Sequence, residues 1–242
     1  YAVEEFDDIH RKVILSNLPI NPKIIITATA LWYDSFFKFY VAYVRQHSPS
    51  TIVGIIQHGG SVGIIKSGVV DYEYGFCDYY FTWGEMSDDN NPHKIRFGIP
   101  KKSHNIKKSE KLRKTHVLIV RSWQPKHTQK LTSEIDTDID YLKDSVAFAN
   151  KLNKKILNEH LLIRLFPEQK AFGSSIPIAN NEEKYWRENY SNINLDKSSN
   201  INELYSRSRI VVYTYLIGTG YVECLANNIP TIIISRHLDS IV

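Results

Sequence analysis

Short apolar runs of five to eight residues recur along this chain, each closed by turn or polar residues, and several are separated by stretches long enough to be helices. Strands alternating with helices are the pattern of an α/β fold with parallel sheets. Lys23–Ala30 (KIIITATA) reads as a buried strand, Trp32–His47 as a helix and Thr51–Gln57 (TIVGIIQ) as the next strand, with Pro49 and Ser50 supplying the break before it. Tyr79–Trp83 and Ile95–Ile99 read as two further short strands.

The rhythm then restarts. His116–Arg121 (HVLIVR) reads as a strand, about Asp138–Glu159 as a helix and Leu161–Phe166 as a strand. A second folding nucleus therefore begins near residue 115, which divides the chain into domains at 1–114, with a basic linker at 100–114, and 115–242. Residues 167–200 are polar and irregular, with one helix expected around Glu182–Asn189, and a loop of that length inside a compact domain is functional or mobile. Ile201–Ser206 and Gly220–Asn227 read as helices, Arg209–Tyr213 and Thr231–Ile234 as strands. The chain stops after a strand, without the closing helix that a doubly wound sheet packs on, so a fragment or shortened homologue of a longer protein is expected.

Composition narrows the function. With 242 residues, 43% of them hydrophobic and 12% aromatic, the chain can bury a sizeable core, which sets disorder aside. Cys77 and Cys224 lie far apart without metal-ligand spacing, the usage of a reduced, cytoplasmic protein with buried thiols. No apolar run reaches the roughly 18 residues that cross a bilayer, and no signal pattern opens the chain. The net charge of +4 is uneven: Lys94 to Lys114 holds nine Lys or Arg and one acid, Glu110. Such a stretch suits phosphates, an acidic glycan or the anionic inner face of the cell membrane, and equally a solvated linker. Nucleic acid is not expected, because aromatic residues are not interleaved with these charges.

Chemistry concentrates where strands end, since ligands of open α/β sheets bind beyond the carboxyl ends of strands. Gln57-His58-Gly59-Gly60-Ser61-Val62-Gly63 follows one strand directly, its glycines letting backbone approach a ligand. His58 there can act as a base or as a donor to an oxyanion, the alternative being a turn histidine bonded to backbone. The spacing is not G-x-G-x-x-G, so no dinucleotide fingerprint is present. Asp71, Glu73 and Asp78 follow, and any of them can serve as nucleophile or base in sugar transfer; Asp71 is taken with His58 as the catalytic pair. Asp34, at the start of a helix, is a further acid with a structural alternative.

Later in the chain, Thr214 and Thr219-Gly220 precede a helix whose start favours an anion, with Glu223 one turn in and able to accept from ribose hydroxyls. Arg164 ends a buried strand, where a charge needs a partner, either a phosphate or an internal carboxylate. Arg121 and Ser122 occupy the corresponding strand end of the preceding unit, and the same choice applies to them. No nicotinamide, flavin or metal is required by any of these groups.

IIQHGGSVG, YYFTWGE, LLIRLFP and SRSRIVVYTYLIGTGYVECLANNIPTIII together resemble a transferase family encoded in bacterial surface-polysaccharide loci, whose members read QHGG-x-YG, a strand ending TWGW, and S-x-T-x-x-E-x-LA-x-NIPTI. The resemblance covers roughly residues 50 to 240, and more distantly the chain is similar to Kdo transferases and CDP-glycerol glycerophosphotransferases. It implies a GT-B enzyme, in which two Rossmann-like domains face a cleft, transferring sugar from a nucleotide-activated donor to a lipid-linked or soluble glycan of capsule or lipopolysaccharide. His58, Gly59 and Gly60 then form the acceptor-side or catalytic loop, Thr214, Thr219 and Glu223 contact donor nucleotide and phosphate, and Arg164 neutralises the leaving phosphate. Val62, Glu85 and Ile217-Gly218 depart from the family pattern. Polyol-phosphate transfer from a CDP-polyol and a non-catalytic nucleotide- or glycan-binding domain are the two rival readings.

Overall fold

In the computed structural model of the chain, residues 5–59, 68–84, 93–98, 116–122, 134–167, 181–198, 200–216 and 218–236 are described, the backbone alone at 68–71, 116, 134–138 and 181. The chain divides into two compact units, Tyr1–Lys102 together with Ser240–Val242, and Ser103–Asp239. The basic stretch at 100–114 lies outside the described residues, as do Gly60, Val62, Glu85 and Ile217.

The first unit runs α1 (Phe6–Ile14), β1 (Ile24–Thr27), α2 (Ala30–Tyr33), α3 (Ser35–His47), β2 (Ile52–Ile56), α4 (Gly68–Phe76), β3 (Tyr79–Thr82) and β4 (Lys94–Arg96). Its strands pair in chain order, all parallel. Because side chains alternate across a sheet, the registers Ile25↔Val53 and Ile55↔Tyr80 put these four residues on one face, where Val41 and Val44 of α3 and Val13 of α1 complete the core. On the opposite face Ile24, Ile26 and Ile52 stay exposed.

The single helix expected over Trp32–His47 is two helices. Asp34 takes an extended conformation between them and its carboxylate accepts the Phe37 amide at 3.0 Å, so the acid acts as the cap that starts α3. Asp78 is also structural: at the amino end of β3 its Oδ2 accepts from Arg45 Nη2 at 2.8 Å and from the Val53 amide at 2.7 Å, tying β3 to β2 and α3.

The second unit runs β5 (His116–Val120), α5 (Glu134–Lys151), a π-helical turn (Ile156–His160), β6 (Leu161–Arg164), α6 (Asn181–Asn189), β7 (Asn194–Asp196), α7 (Ile201–Arg207), β8 (Ser208–Tyr213), α8 (Gly220–Ala226) and β9 (Thr231–Ile233). The long helix expected to reach Glu159 stops early because the Asn153 side chain accepts the Ile156 amide at 2.9 Å and starts a new turn. The five strands are parallel in the order β7-β6-β5-β8-β9. The chain thus winds outward from β5 in one direction, returns, and winds outward in the other. Such a reversal leaves a crevice beyond the carboxyl ends of the two central strands, here β5 and β8, the Rossmann-like switch point. One face packs Ile119, Ile163 and Val212 against Ala149 of α5 and Trp186 of α6; on the other, Tyr213 meets Tyr205 of α7 and Tyr221 of α8.

Cys77 is half-buried and Cys224 buried, and burial pushes each thiol up to about 11. A group titrating there is about 0.1% thiolate at pH 8. Both cysteines are therefore expected to react with a disulfide reagent at pH 8 far more slowly in the native protein than after unfolding in guanidinium; equal rates would contradict this packing.

Candidate functional site

In the first unit, the groups that gather around the end of β2 come from three strand-following segments. Gln57, buried, holds the turn from both sides of His58: its Nε2 donates to the Gly59 carbonyl at 2.9 Å and its Oε1 accepts the Trp83 amide, also at 2.9 Å. His58 then points its Nδ1 at Glu73 Oε1, 3.6 Å away, an ion-pair distance but too long for a hydrogen bond. Glu73 projects from α4 and is only 1% exposed. Trp32 Nε1 donates to its Oε1 and the Tyr80 hydroxyl to its Oε2, both at 2.7 Å. Burial works to raise the Glu73 carboxyl, yet the groups from His58, Trp32 and Tyr80 together hold it below its ordinary value, so it is a buried carboxylate. Burial and the Glu73 charge raise the Tyr80 hydroxyl in turn, leaving it a donor.

Of the two acids after the His-Gly-Gly turn whose side chains are described, Glu73 and Asp78, Glu73 is the one beside His58. Asp78 is committed to Arg45, and the side chain of Asp71 lies outside the described residues. Trp32 lies outside the motifs and Tyr80 inside YYFTWGE without a role of its own there; their bonds to Glu73 are legible only once the chain is folded.

In the second unit the registers Val120↔Arg164 and Val120↔Tyr213 align three strand ends, so that Arg121 and Thr214 stand at the switch point. Arg121 is fully buried. Its Nε donates to Glu182 Oε1 at 2.5 Å, and its Nη1 to the Tyr141 carbonyl, Ser145 Oγ and Thr214 Oγ1 at 2.8, 2.8 and 3.0 Å. Of its two expected partners, phosphate or internal carboxylate, Arg121 has the carboxylate, which Trp186 Nε1 also holds at 3.1 Å. Thr214 donates to the Tyr141 carbonyl at 3.0 Å and belongs to the same network.

Arg164 differs. It is 7% exposed, its Nη2 reaches the Ser198 carbonyl at 3.5 Å, and its Nε has no partner among the described residues. Ser122 Oγ and Arg121 Nη2 are likewise buried without partners among the described residues. Buried donors almost always find an acceptor, and a guanidinium left this way matches an anionic ligand in charge and geometry. Burial raises the Tyr215 hydroxyl against the pull of both arginines, so this phenol stays neutral beside them.

Thr219 begins α8 without using its side chain as a cap, and Glu223 follows one turn in, half-buried, its amide bonded to the Thr219 carbonyl at 3.0 Å. Gly218 sits at φ +150°, outside the comfortable range of other residues. Gly220 is held by packing: a Cβ there would lie 2.3 Å from the Tyr213 hydroxyl and 3.1 Å from that of Tyr205, two buried groups hydrogen-bonded to each other. Gly220→Ala is expected to cost about 2 kcal/mol and lower the melting temperature by roughly 4–8 °C. Adding Tyr213→Phe removes the nearest atom, so calorimetry of the double variant should show a loss smaller than the sum of the two single ones.

A comparison with curated proteins finds no relative that matches the chain. The family model of the LIC12162 family transferases matches residues 1–239. With two parallel α/β sheets and candidate groups at their carboxyl ends, the chain belongs to that transferase family.

Proposed function

We propose that this transferase moves a glycosyl group from a nucleotide-activated sugar, a CMP-linked acid such as Kdo being the first donor to try, to a hydroxyl of a surface-polysaccharide or lipopolysaccharide precursor. In this reading the two units correspond to the halves of a GT-B enzyme, the second taking the donor and the first the acceptor. The observation that carries it is Arg164, a buried guanidinium at the carboxyl end of β6 whose Nε lacks a partner among the described residues. Loss of a nucleotide leaves negative charge on phosphate, and a fixed cation in a water-poor site stabilises that charge as it develops. The strand order supports a site beside it, since β5, the neighbour of β6, forms with β8 the switch point where such folds take nucleotides.

The test is a melting-temperature screen with CMP, CDP, UDP, GDP and their sugar conjugates, followed by turnover with the matching donor. A nucleotide at a hundred times its dissociation constant should stabilise by about 2.7 kcal/mol, roughly 5–10 °C here. Acceptor-dependent nucleotide release with that donor completes the case. No shift with any nucleotide overturns it, and phosphodiester formation from a CDP-polyol would assign phosphotransfer instead.

A further inference from the structure

We infer that Glu73 is the positioning residue for His58, and that together they make His58 Nε2 the acceptor of the proton from the attacking hydroxyl; this rests on the glycosyltransferase reading above. A carboxylate 1% exposed needs compensation, and among the described residues the one basic group within ion-pair distance of Glu73 is His58. Its other partners, Trp32 and Tyr80, are neutral donors, one to each oxygen. They fix the carboxylate in place but cannot neutralise it.

His58 is equally constrained. Its Nδ1 is buried and faces Glu73, while 29% of the side chain remains exposed, and the flanking backbone is held by Gln57. A carboxylate facing Nδ1 keeps the proton of the neutral imidazole on that nitrogen and leaves the Nε2 lone pair for a substrate. The 3.6 Å separation is typical of such pairs before substrate binds; they tighten as charge develops.

The acceptor hydroxyl oxygen bonds to the anomeric carbon and its proton passes to Nε2. The bond from the anomeric carbon to the phosphate oxygen breaks, and its electron pair leaves with the nucleotide. The imidazolium so formed stands opposite Glu73, the charge that was uncompensated beforehand. Trp83, whose buried Nε1 has no partner among the described residues, is pinned to the same turn through its amide and can donate to a neighbouring hydroxyl of a sugar acceptor.

A purely structural Glu73 would hold Trp32 and Tyr80 without influencing the imidazole, so the test reads the ring directly. In the full chain labelled with ¹⁵N-histidine, the resonances missing from His58→Ala identify His58. The wild type should show the Nδ1–H tautomer, and Glu73→Gln should shift His58 toward Nε2–H. With the donor found above, Glu73→Gln should lower kcat roughly 100-fold with little change in KM, while the nucleotide-dependent rise in melting temperature is retained. If Glu73→Gln does not fold, Tyr80→Phe frees one carboxylate oxygen and is expected to give a smaller loss of kcat of the same kind. Unchanged His58 resonances overturn the pairing, and changed resonances with unchanged kcat overturn its part in proton transfer. Absence of any nucleotide-dependent rise in the wild type overturns the proposed function instead, and is distinguishable from both.

Discussion

Glu182→Ala is expected to destabilise the second unit by about 3–5 kcal/mol, the cost of leaving a buried charge without its counter-ion. Arg121 is fully buried and Glu182 supplies its carboxylate at 2.5 Å; the remaining bonds to Tyr141, Ser145 and Thr214 are neutral and cannot balance it. Trp186 loses an acceptor in the same variant. Denaturant unfolding followed by tryptophan fluorescence gives the number, and Glu182→Leu combined with Arg121→Met should lose less than the two changes summed, because a buried pair removed together leaves no orphan. A loss below about 1 kcal/mol for Glu182→Ala would mean that the pair is not what holds Arg121 in place.

Arg164→Ala should behave in the opposite way. Its guanidinium is buried without a carboxylate among the described residues, so removing it relieves a desolvation penalty and the melting temperature without ligand should stay level or rise. Function should suffer: the nucleotide-dependent rise is expected to vanish and turnover to fall by roughly 10² to 10³. Arg164→Lys should recover only part of this, since an ammonium replaces a planar, multidentate donor with a point charge. A variant that melts lower without nucleotide yet binds it as the wild type does would make Arg164 a structural residue. The two arginines, one strand apart, thus separate by the sign of their effect on the free protein.

Much of this fold was legible in the sequence, and the reason is local. TIVGIIQ, HVLIVR and RIVVY are runs in which β-branched residues leave a buried strand as the natural outcome, and each became one. What escaped depends on distant partners. In Gly68–Phe76, GVVDYEYGF, Val69, Val70 and the tyrosines have strand propensity, but the segment is helical and delivers Glu73 to His58. β7 is three polar-flanked residues at the sheet edge, with main-chain bonding to β6 rather than a hydrophobic run to mark it. Strand-end positions such as His58, Arg164 and Thr214 could be picked out because the fold class itself says where ligands go. Their pairings could not: Glu73 could be named only as one of three acids, and Glu182, at the start of the helix expected there, lies 61 residues beyond the arginine it meets, with nothing in the chain to link the two.

The two edges of each sheet are occupied differently. At the amino edge Asp78 bonds to Arg45 and to the Val53 amide, Thr51 to the Pro22 carbonyl and Ser208 to the Leu204 carbonyl, every one a link within the scaffold. The opposite edge carries, beside the scaffold bonds of Gln57, Arg121 and Thr214, two groups, His58 and Arg164, each with a buried nitrogen that has no hydrogen-bond partner among the described residues. Lineages descending from a common ancestor can therefore exchange residues such as His58 and Arg164, and with them the donor or acceptor they accept, while the amino edge and the Arg121 network preserve the ability to fold. Divergence in substrate is expected to be cheap in stability where it spares Gln57, Arg121 and Thr214, and a library randomised only at the other strand-following positions should stay largely soluble while its ligand preferences spread.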